Sequence, residues 1–167
     1  MKLNLICSKD ELRPALNHVQ ITDVCVGCNS FTVGVIPRKE TILKDINFEE
    51  GALIHHEDWK IITTAILAEQ ITDNTIKLYF NKKRPVIIQV ENENEVGKYP
   101  NWQAVMPDNK PEAIESIGID AKLLLQLQEA LGLEKCKLTF NSNEKAISIS
   151  GGSESQVYGI IIPTLVS

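Results

Sequence analysis

The chain of 167 residues carries 17 Lys and Arg against 22 Asp and Glu, a formal net charge of −5 at pH 7. A hydrophobic fraction of 43% and a charged fraction of 23% are ordinary for a globular protein of one or two domains. No apolar run approaches the roughly 20 residues of a membrane span, and the first residues lack the apolar core of a signal peptide. We therefore expect a cytoplasmic protein without a membrane partner, and the acidic balance argues against a general basic coat for nucleic acid.

The first third of the chain predicts the element order strand, helix, strand, strand. Residues 2–7 alternate between polar and apolar side chains, which is typical of a strand. A Ser-x-x-Glu capping box then predicts a helix over residues 8–19. Two apolar runs, 21–26 and 31–36, predict strands on either side of a turn.

The middle of the chain predicts the same order again. After a polar, irregular connection over residues 38–50, a short strand at 51–54 leads into a helix over residues 55–67. Residues 76–80 and 85–90 then predict a hairpin around Asn-Lys-Lys-Arg.

The last part of the chain predicts a third copy. Residues 114–119 are expected to lead as a strand into a helix that Asp120 caps and that ends before Gly132. Three short strands follow at residues 137–140, 146–149 and 158–162. The predicted fold class is therefore α+β, built from repeated strand-helix-strand-strand units with a helix layer on antiparallel sheet. We expect a domain of two units at 1–96, a packed crossing segment at 97–111 and a C-terminal unit at 112–167.

Two residue spacings could indicate a metal or redox site, but the further residues that such a site needs are missing in both cases. Cys25 and Cys28 have C-x-x-C spacing, but no second close pair exists and no helix is predicted after them. His55 and His56 are adjacent, and neighbouring residues do not share a helix face. We expect surface histidines, buried free cysteines, no metal and no cofactor.

Catalytic motifs are not found in the sequence. It holds no nucleophile elbow, no phosphate-binding glycine loop and no His-Glu-x-x-His. Glu91, Glu93 and Glu95 alternate in a stretch that predicts an exposed turn, without the shared cleft that acid–base catalysis requires. We therefore expect a protein that is not an enzyme.

Four segments resemble the bacterial DNA sliding clamp, the beta subunit of DNA polymerase III. Residues 97–107, Gly-Lys-Tyr-Pro-Asn-Trp-Gln-Ala-Val-Met-Pro, fit the clamp pattern G-[RK]-[FY]-P-[DN]-[YW]-x-x-V-[LM]-P at nearly every place. Residues 117–131 resemble the last helix unit of clamps, and residues 155–165 resemble their terminal S-x-x-Y-V-V-M-P-M-R-L. Residues 24–37 lie where clamps have V-A-T-D-G-H-R-L-A, although the charged and histidine positions are lost here.

This resemblance implies a clamp fold and a role in DNA replication or repair, in which clamps tether a polymerase to duplex DNA. A full clamp subunit has six such units and this chain about three, so a shortened clamp-like protein and a homo-oligomer are expected. Two functions remain open: a processivity factor or scaffold that contacts DNA, and a protein-binding module that no longer does. An unassigned enzyme is the third.

The resemblance also implies two sets of site residues. One set would line an apolar groove for a peptide of a polymerase or another replication protein, although core and edge packing explains the same residues equally well: Phe31, Pro100, Val105, Ile160, Ile162, Pro163 and Thr164. The other set comprises the cations that could meet DNA phosphates: Lys9, Arg13, Lys60, Lys82, Lys83, Arg84 and Lys122. Acidic neighbours offset the cations on each predicted helix.

Overall fold

The computed structural model describes residues 1–107, 116–141, 145–152 and 156–164, which form two antiparallel sheets and three α-helices. The larger sheet has eight strands and the smaller has three. The strands are β1 His18–Ile21, β2 Val24–Cys28, β3 Thr32–Pro37, β4 Ala52–His55, β5 Leu67–Thr72, β6 Thr75–Phe80, β7 Lys83–Gln89, β8 Glu91–Asn92, β9 Lys137–Thr139, β10 Ile147–Ser150 and β11 Tyr158–Ile161. The helices are α1 His56–Ile62, α2 Glu93–Val96 and α3 Ala121–Leu131.

The large sheet joins the beginning of the chain to its end. Its strand order is β8-β4-β1-β2-β3-β11-β10-β9, so the C-terminal strands extend the sheet that the N-terminal strands begin. The junction is the antiparallel pairing of β3 with β11, in which Val33 lies opposite Ile160. Strands from the predicted ranges 1–96 and 112–167 thus share one sheet, and the division of the chain into those ranges is kept as a proposal.

The α+β class with helices against antiparallel sheet is confirmed, and the C-terminal elements follow the sequence closely. The Asp120 carboxylate accepts hydrogen bonds from the backbone N–H groups of Lys122 and Leu123, at 2.8 and 3.4 Å. Gly132 ends α3 in the left-handed conformation, with φ of 68°. Of the strand expected at 114–119, residues 116–119 make a single bridge, from Gly118 to Thr164, and residues 114–115 lie outside the described residues.

The first predicted unit is wrong in its first two elements. Residues 3–5 form a 3-10 turn instead of a strand, because both Leu3 and Ile6 turn toward the same core and are buried. The predicted helix over residues 8–19 is reduced to the 3-10 turn Pro14–Asn17, after which β1 begins at once. The hydroxyl of Ser8 accepts from the Asp10 N–H in a local turn instead of capping a long helix.

The second predicted unit is correct in its hairpin and too long in its helix. Helix α1 ends at Ile62, where the hydroxyls of Thr63 and Thr64 donate to the carbonyls of Lys60 and Ile61. The last residue of the expected helix, Leu67, instead begins β5, a strand that the sequence did not reveal. No helix in the described part of the chain is long and apolar enough to cross a membrane.

The two faces of the large sheet are buried by different parts of the chain. The first face packs against α1, α3, the N-terminal 3-10 turn and the small sheet in one continuous core. Three glycines of this face lie in register on adjacent strands, Gly27 opposite Gly34 and Gly34 opposite Gly159. A Cβ on Gly34 would lie 2.6 Å from Ile6 Cδ1, and one on Gly159 would lie 2.5 Å from the Val33 carbonyl oxygen. The row therefore forms a shallow channel in which side chains of α3 and the N-terminal turn contact the backbone directly.

The second face is covered by the segment that follows α2. Tyr99 is buried there and donates its hydroxyl proton toward the Val26 carbonyl at 2.9 Å. Trp102 is buried beside it, and its indole N–H donates to the Gln20 side-chain oxygen at 3.3 Å. Because their ring edges find partners in β1 and β2, both aromatic side chains hold residues 97–107 against this face.

We expect alanine in the glycine row to destabilise the fold according to what its Cβ meets. Gly159→Ala meets the backbone of β3 and should cost about 2–3 kcal/mol of unfolding free energy. Gly34→Ala meets the flexible end of Ile6, so Ile6→Val, which removes that atom, should partly rescue it in the double variant. Urea denaturation of the parent and of these variants measures the effect. A Gly159→Ala variant within about 0.5 kcal/mol of the parent would contradict the close approach.

Candidate functional site

Five of the seven residues predicted for an apolar groove line one cavity of about 220 Å³ on the second face of the large sheet. They come from the β2–β3 loop, the segment after α2 and the last strand, three parts of the chain that are far apart in sequence. The five are Phe31, Pro100, Val105, Ile160 and Ile162.

Local hydrogen bonds place the most exposed of these side chains at the mouth of the cavity. The Asn29 side-chain oxygen accepts from the N–H groups of Phe31 and Thr32, at 2.8 and 2.9 Å, which fixes the β2–β3 loop. The Ile162 N–H donates to the Phe31 carbonyl at 2.9 Å, which ties the chain after β11 to this loop. The loop and the chain after β11 thereby form one wall.

The exposure of the lining distinguishes a surface groove from a closed core. Phe31 is 56% exposed, Val105 49% and Ile162 37%, whereas Ile160 forms a fully buried floor. Apolar side chains exposed on three sides of a cavity with a buried apolar floor can take the hydrophobic side chains of a short peptide.

Pro163 and Thr164 do not line this cavity. The chain turns away after Ile162, and the Thr164 N–H donates to the Gly118 carbonyl at 2.9 Å. Both residues lie beside the groove rather than in it.

Arg13, Leu16 and Trp102 line the cavity and were not predicted for it. Arg13 was predicted to meet DNA from the face of a long helix. Because that helix is a 3-10 turn, Arg13 precedes it in an irregular stretch, and its guanidinium donates to the Ser30 hydroxyl at 3.1 Å. The pairing of this stretch with the β2–β3 loop has no sequence signal that could have revealed it.

The other predicted DNA contacts lie on several parts of the surface and are all exposed. Lys60 on α1 lies 3.8 Å from the Glu57 carboxylate, and Lys122 is on the first turn of α3. Lys82, Lys83 and Arg84 lie at the turn between β6 and β7 and at the start of β7, and Lys9 lies in the loop before the second 3-10 turn. The helical lysines belong to the first face of the sheet, opposite the groove.

Cys25 and Cys28 point to opposite faces of β2, because side chains three apart in a strand alternate. Burial raises the pKa of the Cys25 thiol to about 12, and burial also raises the pKa of Cys28, whose sulfur donates to the Tyr99 hydroxyl. Thiols of this kind behave as small apolar side chains.

The three histidines of the chain form one cluster, in which His55 and His56, the two expected at the surface, are half-buried. The rings of His55 and His56 lie 4.3 Å apart, and His18 is buried 5.1 Å from His55. Burial raises the pKa of the nearby Asp58 carboxyl. His55 is the N-cap of α1, and its ring nitrogen accepts the Glu57 N–H at 3.4 Å. Within the described ranges, no three His, Cys, Asp or Glu side chains are grouped to hold a metal ion.

Comparisons with known proteins give a fold and no sequence family. No protein-family model matches the chain, and no curated protein matches it in sequence. Solved structures of bacterial sliding clamps do match. The DNA polymerase III beta subunit of Borrelia burgdorferi, in complex with a natural product, matches 99% of this chain and 60% of its own, with a TM-score of 0.70 and 12% identity.

Two further clamps agree. The DNA polymerase sliding clamp of Bacillus subtilis matches over 99% of this chain and 61% of its own, with a TM-score of 0.65 and 12% identity. The sliding clamp of Bartonella birtlesii, bound to griselimycin, matches over 99% and 63%, with a TM-score of 0.62 and 13% identity. The chain thus has the fold of bacterial DNA sliding clamps, and it spans less than two thirds of the length of those it matches.

Proposed function

We propose that this chain is a non-catalytic, clamp-like protein of DNA replication or repair that captures a short hydrophobic peptide of a partner protein in its groove. The observation that carries the proposal is the open apolar cavity formed by Phe31, Val105, Ile160 and Ile162. Support comes from the clamp fold, since a groove at this joint is what the sequence resemblance implies. A cytoplasmic location and a polymerase or other replication protein as partner belong to the same proposal.

The groove is large enough for a few apolar side chains of a partner protein, and too small for a whole folded domain. A volume of about 220 Å³ accommodates one or two large apolar side chains. Binding would then depend on a linear motif in an extended or flexible segment of the partner, with affinity from burial of those side chains.

We expect Ile162→Asp to weaken binding of a labelled linear peptide with two adjacent large hydrophobic residues by at least about 10-fold, since a charge in an apolar groove is poorly solvated. Fluorescence anisotropy measures the dissociation constant. Ile87→Asp is the matched control, because Ile87 is 60% exposed on β7 and does not line the groove. Equal affinities for the parent and Ile162→Asp would refute a peptide site at this place.

Contact with duplex DNA is the second candidate function. Its support is the exposed cation cluster at the β6–β7 turn, Lys82, Lys83 and Arg84, together with the exposed lysines Lys60 and Lys122 on α1 and α3, which cover the same face of the sheet. Sequence-independent binding to phosphates needs such diffuse positive charge. Against it stand the acidic residues on the same helices, Glu57 and Glu129 among them, and the net charge of −5.

For this second candidate, the triple variant Lys82→Ala, Lys83→Ala, Arg84→Ala should weaken duplex binding whatever the sequence. It should also lower the salt slope by up to about three units, one for each phosphate that the variant no longer neutralises. Electrophoretic or anisotropy titrations over a salt series measure both quantities. The triple variant Lys39→Ala, Lys44→Ala, Lys135→Ala removes equal charge elsewhere and serves as control. Duplex affinity equal to that of an unrelated acidic protein at low salt would eliminate the DNA function.

Self-association is proposed from the edges of the sheets. Within the described residues, β9 ends the large sheet and β7 ends the small one without a further strand partner. Edge strands with exposed apolar side chains, as Val86 and Ile87 on β7, readily pair with a second chain.

Sedimentation velocity should therefore show a mass above that of one chain, increasing with protein concentration. Ile87→Pro would remove a backbone donor from β7 and should lower the associated fraction if that edge pairs. A single monomeric species across the whole concentration range would exclude self-association and any ring built from it.

A further inference from the structure

The peptide groove continues into a second cavity. A space of about 300 Å³ adjoins the first cavity and shares Arg13, Leu16 and Pro100 with it. Its other wall is made by the end of α2 and the residues after it, Val96 to Lys98. We call the first cavity, lined by Phe31, Val105, Ile160 and Ile162, the anchor cavity. Because Leu16 and Pro100 line both spaces, an extended peptide with its hydrophobic side chains in the anchor cavity can continue over them into the second, at about 3.3 Å per residue.

The charges along this path have one sign. Arg13 lines both cavities and Lys98 lines the second, whereas no Asp or Glu of the described chain lines either. Asp10 and Glu11 precede Arg13 but belong to neither lining. The whole chain has a net charge of −5, so this partly apolar site, with two cations and no acidic residue in its lining, departs from the overall acidic balance.

Arg13 is also held in place. One guanidinium nitrogen donates to the Ser30 hydroxyl at 3.1 Å, directly before Phe31 in the β2–β3 loop. A guanidinium carries five N–H donors in a planar fork, so this contact fixes the group and leaves donors for a carboxylate. The positive charge of Arg13 therefore lies at the boundary between the two cavities.

The polarity changes again beyond the second cavity. A third space of about 590 Å³ shares Lys98 and Pro100 with it and is lined by polar side chains, including Glu50 and Glu93. A peptide that continued so far would meet acidic groups there. The positive part of the path therefore ends at Lys98 and comprises two cations, Arg13 and Lys98.

We propose that the groove selects peptides in which one or two acidic side chains lie directly beside the hydrophobic anchor, with Arg13 as the residue that determines this preference. The proposal rests on the proposed function of the groove and adds the chemical class of its ligand. Arg13 pairs with the first carboxylate, and Lys98 adds attraction along the second cavity.

The test uses three labelled peptides with the same two hydrophobic residues. They are flanked by Asp-Glu, by the isosteric neutral pair Asn-Gln, or by Lys-Lys, and their dissociation constants are measured by anisotropy at low and moderate salt. The acidic peptide should bind about 10-fold more tightly than the neutral one, and the basic peptide more weakly still. The difference should shrink as salt increases.

The variants identify the residues responsible. The preference of each variant is the ratio of its dissociation constants for the neutral and the acidic peptide. Arg13→Gln should remove most of that preference, and Arg13→Glu should reverse it. Lys98→Glu should reduce the preference in part. Lys44→Glu changes the net charge equally at an exposed site outside both cavities and should leave the preference intact. Thermal melts of each variant verify that the fold is retained.

The outcomes separate this proposal from the function on which it rests. Equal binding of all three peptides, still abolished by Ile162→Asp, would overturn the acidic preference and leave the groove function standing. Preference for the acidic peptide that survives both Arg13→Glu and Lys98→Glu would also overturn it. Binding of none of the peptides would refute the groove function itself.

Discussion

The fold depends on a close approach between the sheet and the elements that cover its first face. Gly27, Gly34 and Gly159 lie side by side on β2, β3 and β11, and the three strands carry no side chain along that line. Side chains of the N-terminal turn and of α3 occupy the space, Ile6 above Gly34 and Leu127 above Gly159. The backbone N–H of Lys2 donates to the Ala130 carbonyl at 2.6 Å, so the two covering elements also hold each other. Burial on this face thus ties the N-terminal strands and the C-terminal strands of the sheet together at its centre.

The opposite face of the same strands carries the groove. The two faces are linked because successive residues of a strand point to opposite sides of the sheet. In β3 the side chains of Val33 and Val35 point to the second face while Gly34 points to the first. In β11, Gly159 receives α3 while the next residue, Ile160, forms the floor of the anchor cavity. The closely packed first face therefore positions the strands that carry the groove, although most of the groove walls are loops.

The sequence predicted elements well where local signals agreed with tertiary packing. Asp120 and Gly132 define the start and the end of α3, and leucines spaced on one side of it, Leu123, Leu127 and Leu131, define its inner side. The helix forms as expected. The capping box at Ser8 is an equally clear local signal, but Pro14 and the early start of β1 leave no room for a helix, and the turn hydrogen bonds take over. Likewise the apolar spacing of Ile62 and Ile66 is helical, yet Thr63 and Thr64 end the helix between them.

The same contrast between local sequence signals and tertiary packing applies to the groove. Five of the seven residues predicted for it line the cavity, and all five lie in segments that resemble clamps: the β2–β3 loop, the joint and the C-terminal segment. Arg13 was expected on the face of a helix, and it lies instead in an irregular stretch where its guanidinium contacts Ser30, a contact that no local pattern encodes. The surface on which a cation lies can be inferred from its sequence neighbours only when the secondary structure is predicted correctly. Here a helix was expected where an irregular stretch lies.

The pairing of β3 with β11 has a consequence for how the protein folds. Val33 and Ile160 lie far apart along the chain, so the large sheet has a high contact order and must close a long loop before the pairing contributes stability. Until then the edge of β3 is open and the anchor cavity has no floor. The groove is therefore complete only when β3 and β11 have paired, and a partner that binds Phe31 and Ile162 together would stabilise that junction against opening.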